Sequence, residues 1–276
     1  MSNLAMMMGL GSAGGTPWLA DLSVASYDSV SFSVPEDGRP TDVTFNNDGT
    51  KMYITGDSNN VIKQYSLSSA FDLSTASYDS VTFSVNSQDS IPRGMRFNDD
   101  GSKMYIVGDA TNSVHQYSLS TAFDLSTASY DSVSFSVGAQ DSTPQGLFFK
   151  PDGTKMYVVG SSSFDVYQYS LSTAFDLSTA SYDSVNIDVS TQDNSPTGLA
   201  FSSDGIKMYV LGSSSDAVYQ YSLSTEWDLS TASYDSVSFS VGAQDGTPTG
   251  ITFNNNGTKM YMVGENSTTV FQYSTA

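Results

Sequence analysis

Five aspartates recur at a constant interval of 52 residues: Asp37, Asp89, Asp141, Asp193 and Asp245, each three residues before a proline. Carboxylates gathered round one opening would attract a hard cation such as Ca2+, or raise one another's pKa by like-charge repulsion. The competing role is capping, in which an Asp accepts hydrogen bonds from backbone N–H groups of its own tight loop. Fivefold recurrence of one geometry favours capping. Ca2+ at this ring is the only cofactor the residues suggest.

Other candidates thin out when compared across copies. Asp48, Asp100, Asp152 and Asp204 occupy Asp-Gly turns, and the fifth copy has Asn256 there. Asn serves a turn as well as Asp but is a poor general base, so these residues read as hairpin turns. The single histidine, His115, is aligned with Lys63, Tyr167, Tyr219 and Phe271, a variable bulky position with no evident catalytic partner. Gln64, Gln116, Gln168, Gln220 and Gln272 recur before a tyrosine and are expected to form buried amide hydrogen bonds between strands or blades. The departures from uniformity are Arg39, Arg93 and Arg96, confined to the first two copies. Arg39 and Arg93 flank the repeated prolines and would face the same opening as the acidic ring, or pair with Asp37 and Asp89. Phe164 is the one aromatic placed in a variable loop, a thin basis for a sugar site. No nucleophile elbow, phosphate loop, zinc signature or dinucleotide fingerprint is present.

The elements that must position these residues follow from the period. Pro40, Pro92, Pro144, Pro196 and Pro248 each open Pro-x-x-apolar-x-apolar, then a polar turn, Lys-Met-Tyr, Gly and Gln-Tyr. In the third copy, Val133–Val137 alternates apolar and polar, 146–149 is uniformly apolar, 151–154 is a tight turn, and 155–159 and 166–171 are further strands. Residues 172–183 read as a long connection with Phe175 and Leu177 anchoring under the next blade. Four short antiparallel strands per repeat, with no helical periodicity, predict an all-β five-bladed β-propeller of 52-residue blades. The chain starts with a copy of the strand preceding each proline, Tyr27–Val34, and its last repeat lacks that strand. Pairing the N-terminal strand with the last blade would close the ring and remove two sheet edges.

Five copies leave a short remainder, giving an N-terminal Met/Gly-rich segment (1–16) and a propeller (17–276). Its apolar run, Leu4 to Leu10, follows no Lys or Arg and is expected not to be a signal peptide. With 29 acidic against 10 basic residues, five of the latter being the repeated lysine, no basic stripe remains for nucleic acid or an anionic membrane. No apolar run is long enough to span a bilayer. Cysteine is absent, so disulfides and thiolate metal sites are excluded.

The stretch Pro196-Thr-Gly-Leu-Ala-Phe-Ser-Ser-Asp-Gly-Ile-Lys-Met-Tyr-Val210 resembles the YVTN/lactonase-like β-propeller repeats, over about half of each repeat. That resemblance implies the propeller; its relatives include enzymes, surface-layer proteins and binding scaffolds. The leader Met1–Gly15 resembles the short leaders of some tailed-bacteriophage structural proteins. Together these readings lead to the expectation of a non-enzymatic structural or adhesion protein, in a virion or outside the cell. Leu4, Met6, Met7, Met8 and Leu10 would join it to other virion or assembly proteins, with loops meeting a host surface. The alternatives are a lactonase-like hydrolase, or a secreted propeller binding a glycan or a cation.

Overall fold

The computed structural model describes residues 18–276. It consists of five four-stranded antiparallel sheets arranged as the blades of a propeller. Each blade runs outward in sequence order; the third comprises Pro144–Phe149, Lys155–Gly160, Asp165–Leu171 and Ala180–Asp188. The five proline strands touch one another in a closed inner ring around the central channel. The fifth blade takes its outer strand, Ser26–Ser33, from the start of the chain, paired antiparallel with Thr269–Ser274 at its end. The ring closure expected from the sequence is therefore made by strand pairing.

Burial follows position in the blade. The second strand is buried along nearly its whole length, whereas the outer strand alternates and presents one face to solvent. Between blades, apolar clusters hold residues from two neighbours at once; one joins Tyr157 and Val159 to Leu199, Met208 and Trp227. The repeated tyrosines of Lys-Met-Tyr and Gln-Tyr are fully buried.

The connection before the outer strand differs from the sequence expectation. Residues 180–183 already belong to the outer strand, which carries a bulge where Gln168 and Tyr169 face Val185 and Tyr182. Ser184 takes φ 59° there, and the repeat gives the same conformation to Ser29, Ser80, Ser132 and Ser236. Phe175, also at positive φ (61°), covers Gly153 of its own blade, where a Cβ would overlap the ring. The anchoring runs to the preceding blade: the Tyr105 hydroxyl donates to the Phe175 carbonyl, and Leu177 N–H donates to Gln116 Oε1 at 3.0 Å.

These links repeat round the ring. Gln168 Oε1 accepts from Leu229 N–H, Gln220 from Leu22 and Gln272 from Leu73, each at 3.0–3.2 Å. The glutamine also donates from Nε2 to the bulge aspartate of its own blade, Gln168 to Asp183 at 2.8 Å. The expectation of buried amides bonding both between strands and between blades holds. No helix of the described residues is long and apolar enough to cross a membrane.

One blade-to-blade link can be removed alone. Tyr157 donates to the Trp227 carbonyl at 2.7 Å in a buried setting. Tyr157→Phe leaves that carbonyl unpaired, at a cost of about 1–3 kcal/mol. A melting temperature several degrees lower is expected by calorimetry, with Tyr182→Phe, whose hydroxyl bond is exposed, nearly unchanged.

Candidate functional site

The five ring aspartates are held by their own loops. Asp141 Oδ1 accepts from Thr143 N–H at 2.7 Å and Ser162 Oγ at 2.8 Å, and Oδ2 accepts from Ser163 N–H at 2.9 Å. Burial raises its pKa, but hydrogen bonds from Ser163, Thr143 and Ser162 outweigh it and hold the carboxyl below its ordinary value. The carboxylate sits over Gly160, in space that any Cβ would occupy; Asp37, Asp89, Asp193 and Asp245 lie likewise on Gly56, Gly108, Gly212 and Gly264. Only Asp37 adds a cation, Lys63 Nζ at 3.0 Å. The five carboxylates are thus turned to separate turns. Among the described residues no three His, Cys, Asp or Glu side chains are placed to hold a metal.

The remaining sequence candidates are also accounted for. Asp152 Oδ1 accepts from Thr154 N–H and Oγ1, and Asn256 does the same for Thr258. His115 Nε2 lies 2.9 Å from Thr111 Oγ1, and burial pushes its pKa down, against the raising effect of Asp89. Leu4, Met6, Met7, Met8 and Leu10 lie outside the described residues.

Symmetry breaks where the proline strands begin. The residue after the conserved glycine of the second strand is Asp57, Asp109, Ser161, Ser213 and Glu265 in the five blades. Its three acids interleave with two arginines in an arc over the fifth, first and second blades. Arg39 Nε is 2.9 Å from Glu265 Oε1 and 3.4 Å from Asp57 Oδ1. Arg93 places Nη1 3.0 Å from Asp57 Oδ2 and Nη2 3.4 Å from Asp109 Oδ2. The expected pairing of Arg39 and Arg93 with Asp37 and Asp89 is replaced by this arc, because those two carboxylates are already occupied by their own loops. The third and fourth blades line the same mouth with hydroxyls, Ser161 and Thr143 at 3.0 Å and Ser195 and Ser213 at 2.9 Å.

Asp57 is the centre of the arc. Its side chain is 4% exposed. Burial pushes its pKa above the ordinary value; Arg93 and Arg39 oppose this, and Glu265 and Asp37 add to it. Its Oδ1 accepts no hydrogen bond, since the Arg39 Nε–H is directed at Glu265, and the buried Arg93 Nε also has no partner. Asp57 and Arg93, joined through Oδ2 and Nη1, thus each keep one buried polar atom without a partner. Sequence reading found the arginines and missed Asp57, Asp109 and Glu265, though the Asp/Asp/Ser/Ser/Glu variation at one repeat position was visible.

Deeper in the channel, Asp42 stands where the other four blades have glycine, and it too was missed. Its Oδ2 accepts from Arg96 Nη1 and from Met95 N–H, both at 2.8 Å. Arg96 reaches across the ring, donating from Nη2 to the carbonyls of Leu199 at 3.0 Å and Ile251 at 3.2 Å. Its guanidinium lies 5.8 Å from the Phe148 ring centre. This buried pair crosses the lumen between the charged mouth and the opposite end, where a cavity of about 200 Å³ is lined by Arg96, Phe45, Phe97 and Phe148.

No protein-family model matches the chain, and no curated protein matches it in sequence. Solved structures do match in fold. A Bacteroides uniformis protein described as a "putative 6-phosphogluconolactonase" superposes with TM-score 0.53 at 14% identity, over 84% of this chain and 65% of that one. A Lactobacillus plantarum protein gives TM-score 0.51 at 14% identity, over 85% and 67%. A functionally unknown protein of Desulfotomaculum acetoxidans gives 0.50 at 12%, over 82% and 62%. The chain thus spans less than two thirds of the length of two of these neighbours. They show the β-propeller fold. They also correct the expectation of a non-enzymatic protein, since a fold neighbour carries a hydrolase description and uniform blades are no argument against an enzyme. The resemblance of the leader to phage proteins has no counterpart in the three.

The lumen pair gives a pH-dependent prediction. Burial raises the Asp42 pKa, with Arg96 first among the opposing groups. Arg96→Met leaves a buried carboxylate without its counter-charge, costing about 3–5 kcal/mol when ionised. A carboxyl whose folded pKa is raised favours the folded state when protonated, so the deficit should grow as pH rises and shrink as it falls. Denaturant unfolding at pH 7.5 and pH 4.5 checks this. Asp42→Gly with Arg96→Thr, which restores residue types of the other blades, should lose less than Arg96→Met at pH 7.5.

Proposed function

We propose that the protein is a lactonase-like hydrolase acting at the charged mouth of the channel on a small, uncharged lactone. The observation that carries this reading is the pair of unpartnered atoms on the ion-paired residues at the centre of the arc, Asp57 Oδ1 and Arg93 Nε. The fold neighbour described as a lactonase supports the reaction class. In this reading Asp57 takes a proton from water as the water oxygen attacks the lactone carbonyl carbon. Arg93 Nε–H donates to the carbonyl oxygen, where negative charge develops. The acyl C–O ring bond then breaks and Asp57 returns the proton to the departing alkoxide, giving a hydroxy acid. Both guanidinium groups are engaged by carboxylates, and the arc holds three acids against two bases. That balance favours an uncharged lactone over a phosphorylated one.

The test is hydrolysis of glucono-δ-lactone followed by acid release, with 6-phosphogluconolactone as the charged comparison. Asp57→Asn should lower kcat about 10²–10⁴-fold, the usual contribution of a general base. Arg93→Ala should lower kcat/KM without unfolding the protein. The acidic limb of the pH profile should lie above the ordinary Asp pKa of about 3.9, because the base must be ionised and burial raises its pKa. Absence of turnover on both lactones, or full activity in Asp57→Asn, would remove this reading.

A further inference from the structure

Two open clefts lie between neighbouring blades at equivalent positions, apart from the charged mouth; the first shares Asn98 and Phe175 with the cavity at the phenylalanine end of the channel. One, of about 590 Å³, is formed by the second blade and the connection of the third; the other, of about 700 Å³, by the fifth blade and the connection of the first. In the first, Lys103 and Asp131 form one wall and Asp176 and Ser178 the other, with Phe175 and Val133 as an apolar floor. In the second, Lys259 and Asp28 face Asp72 and Ser74, with Phe71 and Val30 below.

The hydrogen-bonding capacity left in each cleft defines a ligand. Lys103 Nζ donates to Ser118 Oγ and to Asp131 Oδ2, both at 2.7 Å, leaving one of its three N–H groups. Asp131 takes a further bond from Ser118 on Oδ1 and keeps a lone pair there. Asp176 uses Oδ1 to accept from Ser178 N–H and Oγ, while Oδ2 accepts from none of the described residues. Lys259, Asp28 and Asp72 repeat this arrangement. Each cleft thus offers one cationic donor, two anionic acceptors and an apolar floor, with a net charge of minus one. An anion is disfavoured. A neutral polyhydroxyl ring fits, with adjacent hydroxyls donating to the aspartates, one accepting from the lysine, and the C–H face lying on Phe and Val. The volumes fall in the range of small-molecule sites.

We infer that these inter-blade clefts are saccharide-binding sites, repeated round the propeller and suited to neutral, multiply hydroxylated chains. The repeat supplies the same Lys, Asp and Ser set from Lys51, Asp79 and Ser126, and from Lys155, Asp183 and Ser230. In the remaining interface Lys207 and Asp235 meet Asp21 and Ser23, and Ala20 replaces the phenylalanine. Several weak sites spaced round one rigid ring would bind a polysaccharide far more tightly than a single sugar. This inference is independent of the hydrolase reading, because it uses none of the residues of the charged mouth.

The experiment is affinity electrophoresis of the full chain in native gels holding galactomannan, mixed-linkage β-glucan or dextran. Retardation by at least one polysaccharide is expected, relative to a polymer-free gel. The variant carrying Asp72→Asn, Asp124→Asn, Asp176→Asn and Asp228→Asn keeps an oxygen cap for each turn but loses the free acceptor. Its relative retardation should fall at least tenfold while its melting temperature stays near that of the parent. A second variant, Ser74→Trp, Ser126→Trp, Ser178→Trp and Ser230→Trp, fills the clefts, gives up the hydroxyl bond of each cap while keeping its backbone N–H bond, and should also lose retardation. No retardation of the parent by any of the three polymers, or undiminished retardation in a folded variant of either kind, would overturn the inference. Lactone turnover measured on the same proteins should be unaffected.

Discussion

The buried glutamine of the third strand is the interaction on which the propeller depends. Gln168 holds the bulged outer strand of its own blade through Nε2 and the next blade's connection through Oε1. One amide satisfies a buried backbone N–H on one side and a half-buried carboxylate on the other. It therefore fixes strand pairing and blade spacing together. A hydrophobic side chain in its place would leave the Leu229 N–H unpaired in a low-dielectric setting and take one bond from Asp183, which would keep those from Lys155 and Ser170. The same residue closes the ring, because Gln220 and Gln272 treat Leu22 and Leu73 as Gln168 treats Leu229. The junction of chain start and chain end is built from the same contacts as any other pair of blades.

This economy explains where specialised chemistry can sit. Positions that carry the repeat are committed to turns, caps and inter-blade bonds, and the ring aspartates are an example: each carboxylate replaces a side chain over a glycine and has its oxygens occupied. Freedom exists at the inner strands and the short turns beside them, where Asp42, Arg96, Arg93 and Asp57 depart from the repeat. Asp42 is a close fit even so, since a Cβ at Gly250 of the adjoining inner strand would clash with the Asp42 backbone. The inner ring accepts one such residue only with a partner, and Arg96 supplies it from the neighbouring blade.

The fold was legible because its signals are local and repeated. Pro-x-x-apolar and Gln-Tyr recur five times and Asp-Gly four times with Asn-Gly in the fifth copy, and the missing outer strand of the last repeat pointed to closure. The bulge was not legible. Tyr-Asp-Ser-Val looks like a connection, since serine at positive φ has no sequence signature of its own and the bulge is set by Asp183 reaching Gln168. Phe175 misled in direction for a related reason: its ring covers its own blade while its carbonyl serves the one before. The charged arc was half legible. Arg39 and Arg93 stood out as rare cations, but their partners lie across blade boundaries; Arg39 and Glu265 are 226 residues apart. Proximity to Asp37 in sequence suggested the wrong partner, because capping had already taken that carboxylate.

The Asp42–Arg96 pair also decides what kind of channel this is. A five-bladed ring brings its inner strands close enough for one guanidinium to bond carbonyls on two blades beyond its own. With that bridge in place the lumen has two separate ends, one charged and one lined by phenylalanines. In the proposed chemistry a lactone at the arc would face Asp57 and Arg93, with the Arg96 side chain held beneath by four described bonds. Asp57 lies at the charged end, and its own burial raises its pKa. If removal of the bridge opened the lumen to water at that end, the Asp57 pKa would fall toward its ordinary value. The lumen pair, which touches no reacting atom in the proposed chemistry, would therefore set the strength of the base above it.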